Sequence, residues 1–176
     1  TGYTGEKGCE VFIEAAGTSD LWETLLNNSQ IKAKPIGLGA RDTLRTEMKY
    51  SLYGHEINDT TNPYEATLGW AMKPKAKDFI GKEQILKVKE QGLKNKLVGF
   101  KMLERGIPRQ GYELKKSTGE KIGFVTSGTH SPTLDEPIGI AYVESSFSTE
   151  GSQFFVDIRG KLVKAHVVKT PFVDKQ

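Results

Sequence analysis

The sequence predicts an α+β protein, a helix-bearing first part followed by a β-rich second part, and two observations carry that reading. Up to about residue 90, helical and strand-like apolar spacings alternate, and from Leu97 onward short apolar runs are broken at regular intervals by Gly, Pro, Ser and Thr. A third observation bounds the size. At 176 residues the chain can bury one good core or two small ones.

In the first part, Val11-Phe12-Ile13 lies between charges and predicts a strand over Glu10–Glu14. A helix is expected near Asp20, with Glu23 three residues on as in a capping box and Leu21, Trp22, Leu25 and Leu26 on its apolar face. After Pro35 and Gly37-Leu38-Gly39, the spacing of Ala40, Leu44 and Met48 predicts a second helix with Arg41 and Arg45 on a shared face. A third is expected over Lys82–Glu90, and the lysine-rich stretch Lys87 to Lys96 reads as a linker.

In the second part, Ile122–Val125, Ile138–Val143 and Phe154–Ile158 read as strands of a small barrel or sandwich. Arg159-Gly160-Lys161 reads as a hairpin tip returning through Leu162 to Val168.

Composition narrows the function. Hydrophobic content of 36% and charged content of 27% fit a globular protein, and no apolar run is long enough to span a bilayer. The net charge of +3 is mild and lacks the basic stripe of a nucleic-acid binder. Lys73, Lys75 and Lys77 read as a solvated loop that could also attract a polyanionic tail. Cys9 is the single cysteine, which excludes an internal disulfide and suits a reducing compartment. The chain opens in mid-motif and without Met, as a piece of something larger would.

His55, His130 and His166 are too scattered for a metal-ligand pattern. Ser127, His130 and Ser131 lie close in sequence but lack a Gly-x-Ser-x-Gly frame, and read as turn residues. Gly37-Leu38-Gly39 lacks a third glycine because position 42 is Asp, which argues against a dinucleotide site.

One polar and aromatic set remains: Glu10 after the glycine turn, Arg41 at a helix start, Tyr53 and Trp70. A flat heteroaromatic ligand needs this kit, because a carboxylate accepts from an amidine-like edge, Arg bridges acceptors and an aromatic face stacks on a ring. The competing reading pairs Arg41 and Arg45 with Asp42, Glu47 or Glu10 and puts Trp70 in the core.

At these residues the sequence strongly resembles the aminomethyltransferase family, the T-proteins of the glycine cleavage system. The resemblance runs in order through Thr1-Gly2-Tyr3-Thr4-Gly5-Glu6, Gly39-Ala40-Arg41-Asp42-Thr43-Leu44-Arg45-Thr46-Glu47, Leu52-Tyr53-Gly54-His55-Glu56-Ile57, Pro63-Tyr64-Glu65-Ala66 and Leu68-Gly69-Trp70. It continues through Lys77-Asp78-Phe79-Ile80-Gly81-Lys82, Gly123-Phe124-Val125-Thr126-Ser127-Gly128 with Ser131-Pro132, and Thr170-Pro171-Phe172-Val173.

The resemblance implies the later part of a ferredoxin-like folate-binding domain over residues 1–92 and a small antiparallel C-terminal β-barrel over 93–176. It implies transfer of a one-carbon unit from the aminomethyl-dihydrolipoyl arm of H-protein to tetrahydrofolate, releasing ammonia, in bacterial cytoplasm or mitochondrial matrix. By matching motifs, Glu10 and Arg41 correspond to folate-binding residues and Trp70 borders the same site, with Tyr3, Glu6 and Tyr53 as weaker candidates. The family's catalytic aspartate belongs to an N-terminal half with no counterpart here, so no residue of this chain takes that role. Lys7 and Cys9 depart from the acidic and larger apolar residues common in the glycine turn. Alternatives are the folate domain of a sarcosine or dimethylglycine oxidising enzyme, a dimethylsulfoniopropionate demethylase, a non-catalytic folate binder and a β-rich interaction domain.

Overall fold

A computed structural model describes residues 2–75 and 78–174; Thr1 of the opening motif and Lys77 lie outside the described residues. The element order is α1 (Thr18–Asn27), α2 (Leu38–Glu47), α3 (Lys82–Gln91), then β1 (Asn95–Met102), β2 (Glu113–Lys115), β3 (Lys121–Ser131), β4 (Glu136–Glu144), β5 (Gln153–Ile158) and β6 (Lys161–Val168). This is the α+β class, and the barrel-or-sandwich question resolves to a barrel. Its strands pair in the order β1-β4-β3-β2-β5-β6 and close, because β6 also pairs antiparallel with β1 from Gly99↔Val168 to Met102↔Ala165. Closure leaves no sheet edge to satisfy elsewhere.

The barrel interior is apolar. Phe100, Leu114, Val125, Ala141, Val143, Phe154, Val156 and Ala165 form one buried cluster, with Phe100 and Phe154 meeting edge to face at 5.5 Å between ring centres. Alternation along β6, in which Val163, Ala165 and Val167 are buried between half-buried neighbours, shows the period of two that puts one face inward. The β5–β6 tip has Arg159 at φ 55° and Gly160 at φ 85°. Two successive left-handed residues give the mirror-image turn whose twist matches that of the flanking strands.

Four expectations need correction. Val11, Phe12 and Ile13 form no strand; they are 62, 93 and 49% exposed, with no described segment paired beside them. Helix α1 starts at Thr18 with Gly17 as its cap and no side-chain cap bond, so Asp20 and Glu23 sit inside the helix, Glu23 accepting from Asn27 at 3.2 Å. The expected linker is mostly structured: Lys87 to Gln91 complete α3, which stops at Gly92, and Asn95 and Lys96 already belong to β1. Ser127, His130 and Ser131 lie in β3 rather than in a turn.

Candidate functional site

Helix α2 positions the site. It begins after extended Gly37, packs on β3 through Thr43 Oγ1 and Thr129 Oγ1 at 3.3 Å, and ends in a fully formed Schellman motif. Lys49 N donates to Thr46 O at 2.9 Å and Tyr50 N to Arg45 O at 2.8 Å, the two bonds that close such an end.

Arg41 and Arg45 have opposite fates on this helix. Arg45 is fully buried, and its guanidinium donates four hydrogen bonds within the protein. Nε donates to Asp42 Oδ1 at 2.7 Å, Nη1 to Glu56 Oε2 at 2.8 Å and to Tyr50 O at 3.2 Å, and Nη2 to Ser127 Oγ at 2.7 Å, with Nη2 also at ion-pair distance, 2.6 Å, from Asp42 Oδ1. Glu56, equally buried, accepts in addition from Ser127 Oγ at 2.6 Å and Leu52 N at 2.9 Å, while Tyr142 OH bonds its carbonyl at 2.8 Å. The second buried carboxylate of this face, Glu47, takes the hydroxyls of Ser131 and Thr133. The competing expectation for Arg45 is therefore met through Asp42, and this network fastens the helix to the barrel.

Arg41 is exposed and lies over the Tyr3 ring, its guanidinium carbon 4.5 Å from the ring centre. Tyr3 is fixed further by its hydroxyl, which donates to Ser51 O at 2.5 Å, and burial raises its pKa above the ordinary tyrosine value. Beside it opens a cavity of about 600 Å³ lined by Tyr3, Met48, Lys49, Ile57, Thr67, Leu68 and Trp70 among others. Trp70 is 80% exposed, so it is not core.

The structure thus brings Tyr3 and Trp70 to one cavity with Arg41 beside Tyr3, and does not place Glu10 or Tyr53 on its walls. Glu10 is exposed in irregular chain after the glycine turn, as is Glu6. Tyr53 is exposed, and its hydroxyl donates to Asp59 at 2.7 Å, a bond that raises its pKa. Among the described residues no group of three or more His, Cys, Asp or Glu gathers to hold a metal ion, and no helix is long and apolar enough to cross a membrane.

Sequence reasoning missed Lys49, Thr67, Glu56 and Ser127. Glu56 and Ser127 stood inside motifs already singled out, but only folding shows that residues 71 apart share a buried bond. Lys49 followed the last periodic residue of α2, the place where a helix-ending glycine is ordinarily sought.

Comparison with known proteins decides the family. Residues 1–76 match the GCVT N-terminal domain model, and residues 95–174 match the glycine cleavage T-protein C-terminal barrel domain. The chain belongs to the glycine cleavage T-protein family. A relative named aminomethyltransferase from Bdellovibrio bacteriovorus is 68% identical over 99% of this chain and 49% of its own length. One from Chloroherpeton thalassium is 51% identical over 99% of this chain and 48% of its own length. The crystal structure of the glycine cleavage system aminomethyltransferase T from Bartonella henselae superposes with a TM-score of 0.94 at 35% identity, covering 99% of this chain and 49% of that one. The chain spans about half the length of the T-protein relatives it matches. These relatives are aminomethyltransferases, not oxidising enzymes or demethylases.

Proposed function

We propose that this chain serves an aminomethyltransferase, passing the one-carbon unit of aminomethyl-dihydrolipoyl H-protein to tetrahydrofolate, with methylenetetrahydrofolate, ammonia and dihydrolipoyl H-protein as products. The observation that carries the proposal is the 68% identity along the chain to a relative of that name. The residues present fit a flat heteroaromatic ligand: the cavity beside α2 offers aromatic surface from Tyr3 and Trp70, apolar floor from Met48, Ile57 and Leu68, and polar groups from Lys49 and Thr67.

Tyr3 and Trp70 would hold the ring of tetrahydrofolate there, with Arg41 keeping the Tyr3 ring in place, and we keep Glu10 and Tyr53 as folate contacts through their motifs. Tetrahydrofolate, when bound, supplies the nitrogen nucleophile for the transferred carbon. The chain's own part is then alignment: a helix α2 fastened to the barrel by the Arg45–Glu56–Ser127 network lowers the entropy cost of bringing the partners into line. None of these residues takes the role of the family's catalytic aspartate, and we expect little or no turnover from the 176 residues alone. The division at residues 92 and 93, and the bacterial cytoplasm or mitochondrial matrix as the compartment, belong to the same proposal.

The test is tetrahydrofolate-dependent ammonia release from aminomethylated H-protein by the full-length gene product. Release that requires both partners supports the reading, and none under conditions where a characterised T-protein turns over overturns it.

A further inference from the structure

We propose that Lys49 is the carboxylate-binding residue of the cavity beside α2, its ammonium receiving the negative end of a flat aromatic ligand whose ring lies against Tyr3 and Trp70. The proposal deepens the function just given and rests on it for the identity of the ligand.

The backbone makes the first argument. Lys49 is the residue after the cap of α2, at φ 54°, in the left-handed position that a Schellman motif reserves for glycine. A side chain at such a position strains the backbone, and such strain gathers at ligand sites. The residue across from it is strained as well. Thr67, at φ 60°, accepts the Lys49 Nζ proton at 3.0 Å, so two left-handed residues that are not glycine meet on the cavity wall.

Charge makes the second argument. An ammonium has three donors, and among the described residues Thr67 Oγ1 is the single hydrogen-bond partner of Nζ, with no carboxylate at ion-pair distance. Lys96 at the start of β1 repels it and buried Glu56 attracts it, but Glu56 is already neutralised by Arg45. Burial, with Lys96 second, lowers the Lys49 pKa from 10.5 to about 8. A partly buried cation lacking a counter-ion on the wall of a cavity of about 600 Å³ gains most from an anion brought in by the ligand.

The test compares wild type, Lys49→Gly and Lys49→Arg of the full-length gene product, titrated calorimetrically with tetrahydrofolate and, separately, with 4-aminobenzoylglutamate, an aromatic carboxylate without the pterin. Lys49→Gly suits its backbone, so its thermal midpoint should equal or exceed that of wild type. We expect it to bind both probes at least tenfold more weakly at pH 7, Lys49→Arg to keep most of the affinity, and wild-type affinity to fall as pH rises through about 8 while that of Lys49→Gly does not. Equal binding of tetrahydrofolate by wild type and Lys49→Gly overturns the role of Lys49 and leaves the folate reading standing. Lysine-dependent binding of 4-aminobenzoylglutamate without binding of tetrahydrofolate supports the anion site and rejects folate. Binding of neither probe by wild type overturns both.

Discussion

Buried Arg45 and half-buried Lys49 behave oppositely because one charge is compensated and the other is not. Arg45 is hydrogen-bonded on all three nitrogens and Glu56 is its buried partner at 2.8 Å, so Arg45→Ala should strand a carboxylate and cost about 3–5 kcal/mol in chemical unfolding. Replacing both, as Arg45→Met with Glu56→Leu, should recover much of that loss, whereas a cost below about 1 kcal/mol for Arg45→Ala alone would mean that the pair is solvated. Lys49 runs the other way. Its pKa falls from 10.5 in the unfolded chain to about 8 in the folded one, so between those values the unfolded chain binds more protons and this group's contribution to stability rises with pH. Relative to Lys49→Gly, wild type should therefore gain stability from pH 8 toward 10.5, by a sum on the order of 3 kcal/mol at most. A flat difference between the two unfolding curves over that range would show that the amine is solvated.

At the scale of elements, what the sequence revealed depended on whether an element's partner is local. Helices α2 and α3 and the β5–β6 hairpin were readable because periodicity and the Arg159-Gly160 turn are local signals. Val11-Phe12-Ile13 has equally good strand residues but no strand beside it, and strand propensity without a pairing partner makes no ladder. The Ser127 region was misread for the complementary reason, since its polar residues are satisfied by Glu56 and Glu47 from distant chain. The site was legible to the same extent: Tyr3, Arg41 and Trp70 stood in quotable motifs, while Lys49 needed its backbone angle to be noticed. Glycines separate these cases experimentally. A Cβ at Gly39 in the first turn of α2 meets nothing within 4 Å, so Gly39→Ala should stabilise by about 0.5–1 kcal/mol through propensity. A Cβ at Gly123 would overlap the Tyr142 carbonyl oxygen across the β3–β4 ladder, so Gly123→Ala should cost about 1–3 kcal/mol. The two midpoints should move in opposite directions in thermal unfolding, and a shared sign would refute the packing described for one of them.

Across the whole molecule, order is distributed unevenly, and hydrogen exchange on the chain should reveal the gradient. The barrel buries its apolar cluster inside a sheet with no free edge, so opening one strand breaks ladders on both of its sides. Helix α2 shares that stability because Arg45, Glu47 and Thr43 bond to groups on β3. Helix α1 has no buried residue, and Trp22 and Leu25 remain 51 and 37% exposed, so little beyond its own hydrogen bonds opposes its unfolding. Amides of β1, β3 and β4 should therefore exchange only through global unfolding and those of α2 nearly as slowly, whereas those of residues 18–27 should exchange through local opening several orders of magnitude faster. Ser127→Ala supplies the control: it leaves the barrel strands paired but removes the hydroxyl between Arg45 and Glu56, so protection should fall in α2 while that of β1 falls only with overall stability. Equal loss in both elements would show that helix and barrel open as one unit, and unchanged protection in α2 would show that packing, rather than the buried network, holds the helix in place.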